Sequence, residues 1–348
     1  MAAPSKIMIY GATGYVGKMV VKEAVKQGIA PIILASRNGD VRDMARQYGL
    51  EYRIFNLENP FVINKMLDDI SVLVNLAGPF SNTTMHLVNA VIRTKANYLD
   101  ISGEIQEFSI LAKLDEEAKD AGSMLMPGVG FGVVPTDLMA QHLKTLMPDA
   151  QRLVLAYVTN GSASQGSLKT VLKDILTNGF TRKNGSLEPI KPAQETFEFT
   201  FKGKKYKTYT NQWRADIVSA YHTTGIPNIE TYMHYPWLLV KMMHYVKNFN
   251  WIWKHDYIQW LVSRAPEGPT AKQLANGSTI VYGRAENGTE IKEAVMTGPE
   301  AYTFAVQSIV CIMKRVAALD YKTGFQTPAG LYGDSLLKSL KGVEITDL

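Results

Sequence analysis

The sequence predicts an α/β protein in which a Rossmann-type parallel sheet is followed by a second α+β domain with a mixed or antiparallel sheet. Three observations predict it. Short apolar runs alternate with helical segments over the first third of the chain. Three closely spaced glycines follow the first of those runs directly. Beyond residue 150 the alternation gives way to hairpin patterns. Strands alternating with helices of roughly 10–15 residues build βαβ units and a parallel sheet. Strands joined by tight glycine-containing turns pair antiparallel.

The apolar run at residues 6–10 (KIMIY) is the first strand. Residues 15–27 carry apolar side chains at helical spacing, 31–35 (PIILA) form a second buried run, 41–48 read as a helix and 52–55 as a strand. Residues 60–67 suit a helix because proline is tolerated in its first turn, where an N–H would lack an intrahelical partner anyway. A fourth run at 71–76 (SVLVNL) precedes a helix at 84–93, a strand at 98–101, a helix at 105–121 and a strand at 123–126. The glycine-rich stretch 127–135 (PGVGFGVVP) leads into a helix starting near Thr136. Residues 152–158 are strand-like and 166–176 helix-like. Residues 196–210 alternate polar and apolar on both sides of Lys202-Gly203-Lys204, a hairpin signal. Residues 278–283 and 290–296 flank Asn287-Gly288 as a second hairpin. A helix over about 299–319, a turn-rich stretch at 324–328 and a short helix near 335–340 complete the chain.

A chain of 348 residues with 46% hydrophobic and 20% charged residues buries a core without disulfides or a structural metal. Its single cysteine, Cys311, excludes an internal disulfide and points to a reducing, cytoplasmic setting. Within the apolar stretch 308–313 it reads as a small core residue rather than a nucleophile. The strand at residue 6 leaves no room for the apolar region of a signal peptide. No run of about 18 uncharged apolar residues occurs. The net charge of +5 is spread along the chain, without a basic run interleaved with aromatics, so nucleic acid is not an expected partner. Residues 236–262 are rich in Trp, Tyr, Met and Lys. They read either as an amphipathic membrane-surface helix giving weak lipid contact, or as two helices, broken at Asn248 and Asn250, packing on the sheet or on a partner subunit. The second reading is favoured.

The glycines Gly11, Gly14 and Gly17 lie in GATGYVG, with Thr13, Tyr15 and Val16 between them. Gly11 allows the sharp exit from the strand, Gly14 lets backbone approach a pyrophosphate, and Gly17 lets the helix pack close to the sheet. The helix N-terminus then offers N–H donors and a positive dipole end to the phosphates. Such a triplet alone is weak evidence; strand, motif, helix and second strand in this order strengthen it. An acid at the end of the second strand would select NAD through the ribose 2′-OH. Ser36-Arg37-Asn38 stand there instead, and a guanidinium pairs with a 2′-phosphate through two hydrogen bonds. NADP(H) is therefore the expected cofactor. Ligands in doubly wound sheets lie across the carboxyl ends of the strands. The loop Leu76-Ala77-Gly78-Pro79-Phe80, the loop containing Ser102 and Gly103, and the stretch 127–135 are therefore expected to wall the nicotinamide end.

Candidates for a proton donor are Asp100, Glu104 and Tyr98 on that side, and His222 of the second domain beside the Gly225-Ile226-Pro227 turn. Helix capping is the alternative for the two acids, and a packing role for His222. Gly166-Ser167 opens a helix whose N-terminus suits a carboxylate or a polarised carbonyl, or else is capped by Ser164 or Ser167. The six histidines form no metal-binding pair, and no Tyr-x-x-x-Lys pair occurs. No metal is expected.

Together GATGYVG (11–17), ASRN (35–38), NLAGPF (75–80), YLDISGE (98–104) and GFGVVPTDL (130–138) resemble the saccharopine dehydrogenase-like oxidoreductases. The likeness is strongest to short bacterial members and trans-acting enoyl reductases. SQGSLKT (164–170), TTGIPNIETY (223–232) and GFQTPAGLYG (324–333) extend the resemblance over nearly the whole chain. It implies a Rossmann domain of residues 1–135 completed by the C-terminal segment 299–348. A substrate and dimerisation domain of 136–298, NADP(H) in the cleft between them, and a homodimer are implied as well. It also implies a reductase of a C=N, C=C or C=O bond in a small metabolite or lipid-like substrate; a non-catalytic NADP(H)-binding regulator or scaffold is the alternative. Relatives often carry Asp-Ser after the phenylalanine of the sixth-strand loop, where this chain has Gly132-Val133 after Phe131. A substrate contact by that Asp is therefore not carried over. Saccharopine itself is not inferred as substrate, because the lysine-pathway enzymes are longer.

Overall fold

Strands buried on both faces read as unbroken apolar runs rather than alternating ones, and the first unit is built on such runs. In this computed structural model β1 (Ile7–Tyr10), β2 (Ile32–Ser36) and β4 (Val72–Asn75) are buried at every residue, as is β5 (Asn97–Asp100). The structure describes residues 5–348 apart from 30, 162, 167, 169–178, 192, 212–213, 246–259, 261–263 and 265. By contrast β3 (Glu51–Ile54) is largely exposed, as befits an edge strand. With β6 (Met124–Met126) and the two-residue β15 (Gly324–Phe325) these strands form a seven-stranded parallel sheet in the order β15-β6-β5-β4-β1-β2-β3.

Its connecting helices are α1 (Tyr15–Lys26), α2 (Val41–Tyr48), α3 (Pro60–Leu67) and α4 (Thr84–Thr94), then α5 (Ile105–Lys113) and α6 (Asp115–Ala121). The single helix expected over 105–121 is therefore two, parted at Leu114. The sequence explains the break: Asp115, Glu116 and Glu117 sit in the first turn of α6. Three acids there meet the positive end of a helix dipole, which they would not in mid-helix. Asp115 also accepts a hydrogen bond from the Phe325 N–H at 2.7 Å, tying α6 to β15.

The second unit is a nine-stranded mixed sheet. Its path is β10-β11-β12-β7-β13-β14-β16, with β8 (Gly179–Lys183) paired to β12 and β9 (Ser186–Ile190) paired to β8. The long central strands β7 (Arg152–Asn160) and β12 (Asn228–Met233) are parallel; the other pairs are antiparallel. Both expected hairpins form. β10 (Thr196–Phe201) and β11 (Lys204–Thr210) are joined through Lys202 and Gly203, both at positive φ, the backbone that a tight hairpin turn requires. β13 (Ser278–Glu286) and β14 (Ile291–Pro299) are joined through the Asn287-Gly288 turn. The first hairpin leaves the sheet after only two paired residues with β12. It folds over the sheet face, so that Phe199 stacks on Tyr282 of β13 at 4.8 Å. Helices α7 (Val134–Leu146), α8 (Asp216–Thr224), α9 (Trp237–Tyr245) and α10 (Ala271–Asn276) belong to this unit.

The chain divides into Met1–Val134 with Phe304–Tyr332, and Pro135–Thr303 with Gly333–Leu348. This differs from an assignment of all of 299–348 to the first domain. Helix α11 (Ala301–Ala317) supplies much of the C-terminal part of the first unit. The last residues leave it, because β16 (Glu344–Asp347) pairs antiparallel with β14 and Asp347 meets His142 of α7 at 2.7 Å. The short helix expected at 335–340 lies instead at α12 (Pro328–Leu337), kinked at Gly333, where the division falls. Most of the helix expected at 166–176, including Ser167, and most of the aromatic segment 236–262 lie outside the described residues. Among those described, no helix is long and apolar enough to cross a membrane.

Candidate functional site

The glycine motif separates what the protein's own packing demands from what it does not. β1 ends at Tyr10, and Gly11 turns the chain at φ +86°. A Cβ on Gly11 would lie 2.7 Å from the Ala77 nitrogen and 2.8 Å from the Leu76 carbonyl carbon. One on Gly17 would lie 2.3 Å from the Gly11 oxygen and 2.6 Å from that of Ala12. Backbone surrounds both positions, so both must be glycine for the fold alone. Gly14 is exposed, has φ −69°, and a Cβ there would meet only the Gly11 oxygen, at an ordinary 3.4 Å. Among the described residues no contact requires glycine at this point, and the space above it is open to a ligand approaching the backbone. Gly14 is also the N-cap of α1, where no side chain caps the helix and no acid occupies the first turn. The positive end of the dipole therefore faces outward, and these residues fit a dinucleotide pyrophosphate. Thr13, Tyr15 and Val16 are half-buried around that helix start.

At the end of β2, Ser36 is buried and its hydroxyl accepts the Asn38 N–H at 3.2 Å, shaping the turn. Arg37 and Asn38 are exposed just beyond it. The Arg37 guanidinium lies close enough to the Tyr10 hydroxyl to oppose the rise in its pKa caused by burial. An exposed cation therefore stands beside β1 and β2.

The ends of β4, β5 and β6 are joined by a buried polar network that the motifs alone did not reveal. Asn75 and Asp100 are register partners on adjacent strands. The Asn75 side-chain amide donates to Thr83 Oγ1 and to the Tyr98 hydroxyl, both at 3.0 Å, and its oxygen accepts from the Ala77 N–H at 3.1 Å. Thr83 Oγ1 in turn donates to the Ala77 carbonyl at 2.9 Å. The Tyr98 hydroxyl donates to Asp100 Oδ2 at 2.9 Å. Asp100 Oδ1 accepts from the Ser102 hydroxyl at 2.7 Å, the Ser102 N–H at 2.9 Å and the Gly128 N–H at 3.0 Å. One carboxylate and one amide thus fix the loops after three consecutive strands. Burial pushes the Asp100 carboxyl up to about 6, although the Ser102, Gly128 and Tyr98 donors pull the other way. The Tyr98 hydroxyl is driven far upward, chiefly by burial and then by the Asp100 charge.

Tyr98 and Asp100 are fully buried and bonded to each other and to the loops. Both side chains are occupied in holding those loops. Leu76 is buried, Ala77 and Phe80 are half-buried, and Gly78 and Pro79 are exposed. Gly103 is half-buried beside the fully buried Ser102. Glu104, half-buried at the N-cap of α5, makes no side-chain cap to that helix; its Oε2 accepts the Gly103 N–H at 2.8 Å. His222 belongs to the second unit, exposed in the last turn of α8. That unit holds its own buried polar group. Thr136 donates to Asp216, which lies 3.7 Å from Arg214, and Asn211 bridges the Tyr157 and Tyr235 hydroxyls at 3.1 and 3.3 Å.

Residues 7–126, the span of these strands and loops, match the saccharopine dehydrogenase NADP binding domain. The likeness to that family model falls within the first unit. The chain is similar to the saccharopine dehydrogenase-like oxidoreductase of Mus musculus, with 23% identity over 216 residues, covering 55% of this chain and 50% of that one. It is similar too to the trans-acting enoyl reductase of Mycobacterium leprae, with 28% identity over 145 residues, 39% of this chain and 35% of that one. The matched regions thus span half or less of these curated relatives. The likeness in fold extends further than the likeness in sequence. The L-Glu-forming saccharopine dehydrogenase of Saccharomyces cerevisiae aligns over 99% of this chain and 100% of that one, with a TM-score of 0.68 at 14% identity. The homospermidine synthase of Legionella pneumophila in complex with NAD aligns over 99% and 91%, with a TM-score of 0.71 at 10% identity. These two structures show the fold that the chain shares.

Proposed function

We propose that this chain is an NADP(H)-dependent oxidoreductase reducing a C=N, C=C or C=O bond in a small metabolite or lipid-like substrate. The observation that carries the cofactor preference is the exposed Arg37 following buried Ser36 at the end of β2, where an NAD-selective site would hold an acid. When bound, the cofactor supplies the hydride. The chain's own part is to bind and orient. The α1 N-terminus and Gly14 receive the pyrophosphate, Arg37 pairs with the 2′-phosphate, and the Asn75–Tyr98–Asp100 network holds the loops after β4, β5 and β6. Of the acids beside those loops Glu104 alone keeps partial exposure, and it is the residue proposed to hold a proton for the substrate. The full burial of Tyr98 and Asp100 favours a second reading, an NADP(H)-binding regulator without turnover. The expected homodimer remains part of the first.

Arg37→Asp is expected to weaken NADPH binding by about 10- to 100-fold, the worth of a charged hydrogen-bonded pair, and to leave NADH affinity unchanged or raised, since the new acid can accept from the ribose 2′-OH. Calorimetric titration of both nucleotides checks this; an equal effect on the two removes the basis for NADP(H). Loss of NADPH absorbance across panels of imines, enoyl thioesters and ketones tests turnover. Tight NADPH binding with no hydride exchange on any substrate class would favour the regulator.

A further inference from the structure

The outward face of the β10–β11 hairpin and the helix beside it form a surface of the second unit that contains none of the residues proposed to bind the dinucleotide. Strand alternation divides the hairpin. Phe197 and Phe199 of β10 turn inward with Tyr206, packing on Tyr232 and Tyr282. Lys205, Lys207 and Tyr209 turn the other way. Tyr209 joins Met233 and Leu239 against a buried cluster of Ala193, Tyr235, Val240 and Met243. His234 Nδ1 lies 2.9 Å from the Lys207 carbonyl, so the start of α9 is tied to the same strand.

Helix α9 is thereby fixed with Val240 and Met243 inward, and its opposite face carries large apolar groups. Trp237 is 66% exposed and Leu238 57%. Lys241, one turn on, places its ammonium 4.8 Å from the centre of the Trp237 ring. The charges on the outward side of the hairpin and on this helix have one dominant sign. Lys191, Lys205, Lys207 and Lys241 are exposed, against Glu195 and Glu198, and Glu198 is taken by Lys205 at 2.6 Å.

An exposed indole and leucine within a lysine surround match a surface that rests at a headgroup boundary, where Trp is favoured and basic residues meet lipid phosphates. A second copy fits poorly, because a two-fold contact sets the same patch against itself and would oppose lysine to lysine. We infer that this face docks peripherally on an anionic phospholipid bilayer. Trp237 and Leu238 enter the headgroup region, and the hairpin lysines and Lys241 lie over the lipid phosphates.

The test is flotation of the full-length protein with vesicles of phosphatidylcholine alone and of phosphatidylcholine mixed with phosphatidylglycerol. Binding is expected to the mixed vesicles and to fall as salt rises. Lys207→Glu combined with Lys241→Glu should weaken it by about 30-fold or more, from the contribution of each lysine near a charged membrane. Trp237→Ser combined with Leu238→Ser should weaken it at least about tenfold without moving the thermal unfolding midpoint, and Lys338→Glu should leave it unchanged. No binding to anionic vesicles overturns the inference. So does equal binding to neutral ones, or a dimer, by light scattering, that the Trp237/Leu238 pair of substitutions turns into monomers. The lysine substitutions keep the test decisive should the apolar pair disturb folding.

Discussion

Gly14→Ala is expected to fold like the parent protein and to lose at least about 100-fold in dinucleotide affinity, whereas Gly17→Ala is expected to lose both binding and stability. The difference lies in what each new methyl meets. At Gly17 the methyl would sit 2.3 Å from the Gly11 oxygen and 2.7 Å from the Ala12 carbonyl carbon. These are backbone atoms that cannot rotate away. Helix α1 must move off the sheet, at a cost of about 1–3 kcal/mol or more for overpacking a close contact, and its N-terminus moves with it. At Gly14 the methyl meets only the Gly11 oxygen at 3.4 Å, so the free protein accepts it. Alanine at an exposed N-cap costs about 1 kcal/mol at most relative to glycine. The ligand does not accept it, because the methyl occupies the space through which the pyrophosphate approaches the helix N–H groups. Thermal unfolding and nucleotide titration, run on both variants, read the two effects separately. Were Gly14→Ala to bind NADPH and NADH with parental affinity, the phosphates would not lie at this helix and the proposed cofactor site would fall.

The same contrast shows what was legible in the sequence. Runs such as IMIY and VLVN announce strands buried on two faces, because a parallel sheet covered by helices admits nothing else. Gly203 and Asn287-Gly288 between alternating runs announce hairpins, because glycine and, less readily, asparagine enter the left-handed region cheaply. β12 (NIETYM) was not legible, since its Asn228 and Glu230 obscure an apolar pattern. Their reason is tertiary: Arg152 of β7 grips Glu230 through two hydrogen bonds at 2.9 and 3.0 Å. β16 (EITD) is likewise too polar and short to read as a strand, and only its pairing with β14 places the C-terminus in the second unit. In the site, the glycines and Ser36-Arg37 could be found because one local turn carries their whole mechanism. The roles of Tyr98 and Asp100 could not, because they depend on which strand end lies beside which. Asn75 stands opposite Asp100 only through the β4–β5 register, and Gly128 reaches Asp100 from 28 residues away. An Asn closing an otherwise apolar strand was the one visible hint, since a buried amide must have partners.

Asp100 is where removing a single group is expected to cost most in stability. Asp100→Leu strips the acceptor from the Ser102 N–H, the Ser102 hydroxyl, the Gly128 N–H and the Tyr98 hydroxyl. Each buried donor left unpaired costs about 1–3 kcal/mol. The hydroxyls can turn elsewhere, Tyr98 toward Thr84 Oγ1 at 3.4 Å, but the two backbone N–H groups cannot. A loss of roughly 3–5 kcal/mol follows, a large share of the about 5–15 kcal/mol that holds a typical protein folded. Asp100→Asn behaves differently. Its Oδ1 keeps the three donors from Ser102 and Gly128, and its amide can donate to the Tyr98 hydroxyl, which then donates to Thr84. Burial holds the Asp100 carboxyl at about 6 in the folded chain against an ordinary 3.8, so the folded state binds this proton more tightly than the unfolded one. The group's contribution is therefore fully present below about pH 4 and is lost as pH rises through about 6, a change of order 3 kcal/mol. Asp100→Asn should remove that slope, so that the difference between parent and variant in urea midpoint shifts in the variant's favour from pH 4 to pH 7. Asp100→Leu should unfold at markedly lower urea throughout, and should weaken nucleotide binding as the loops after β4 and β5 lose their common anchor. A leucine variant that unfolds with the parent at every pH would mean that the three strand ends are held by something other than this carboxylate.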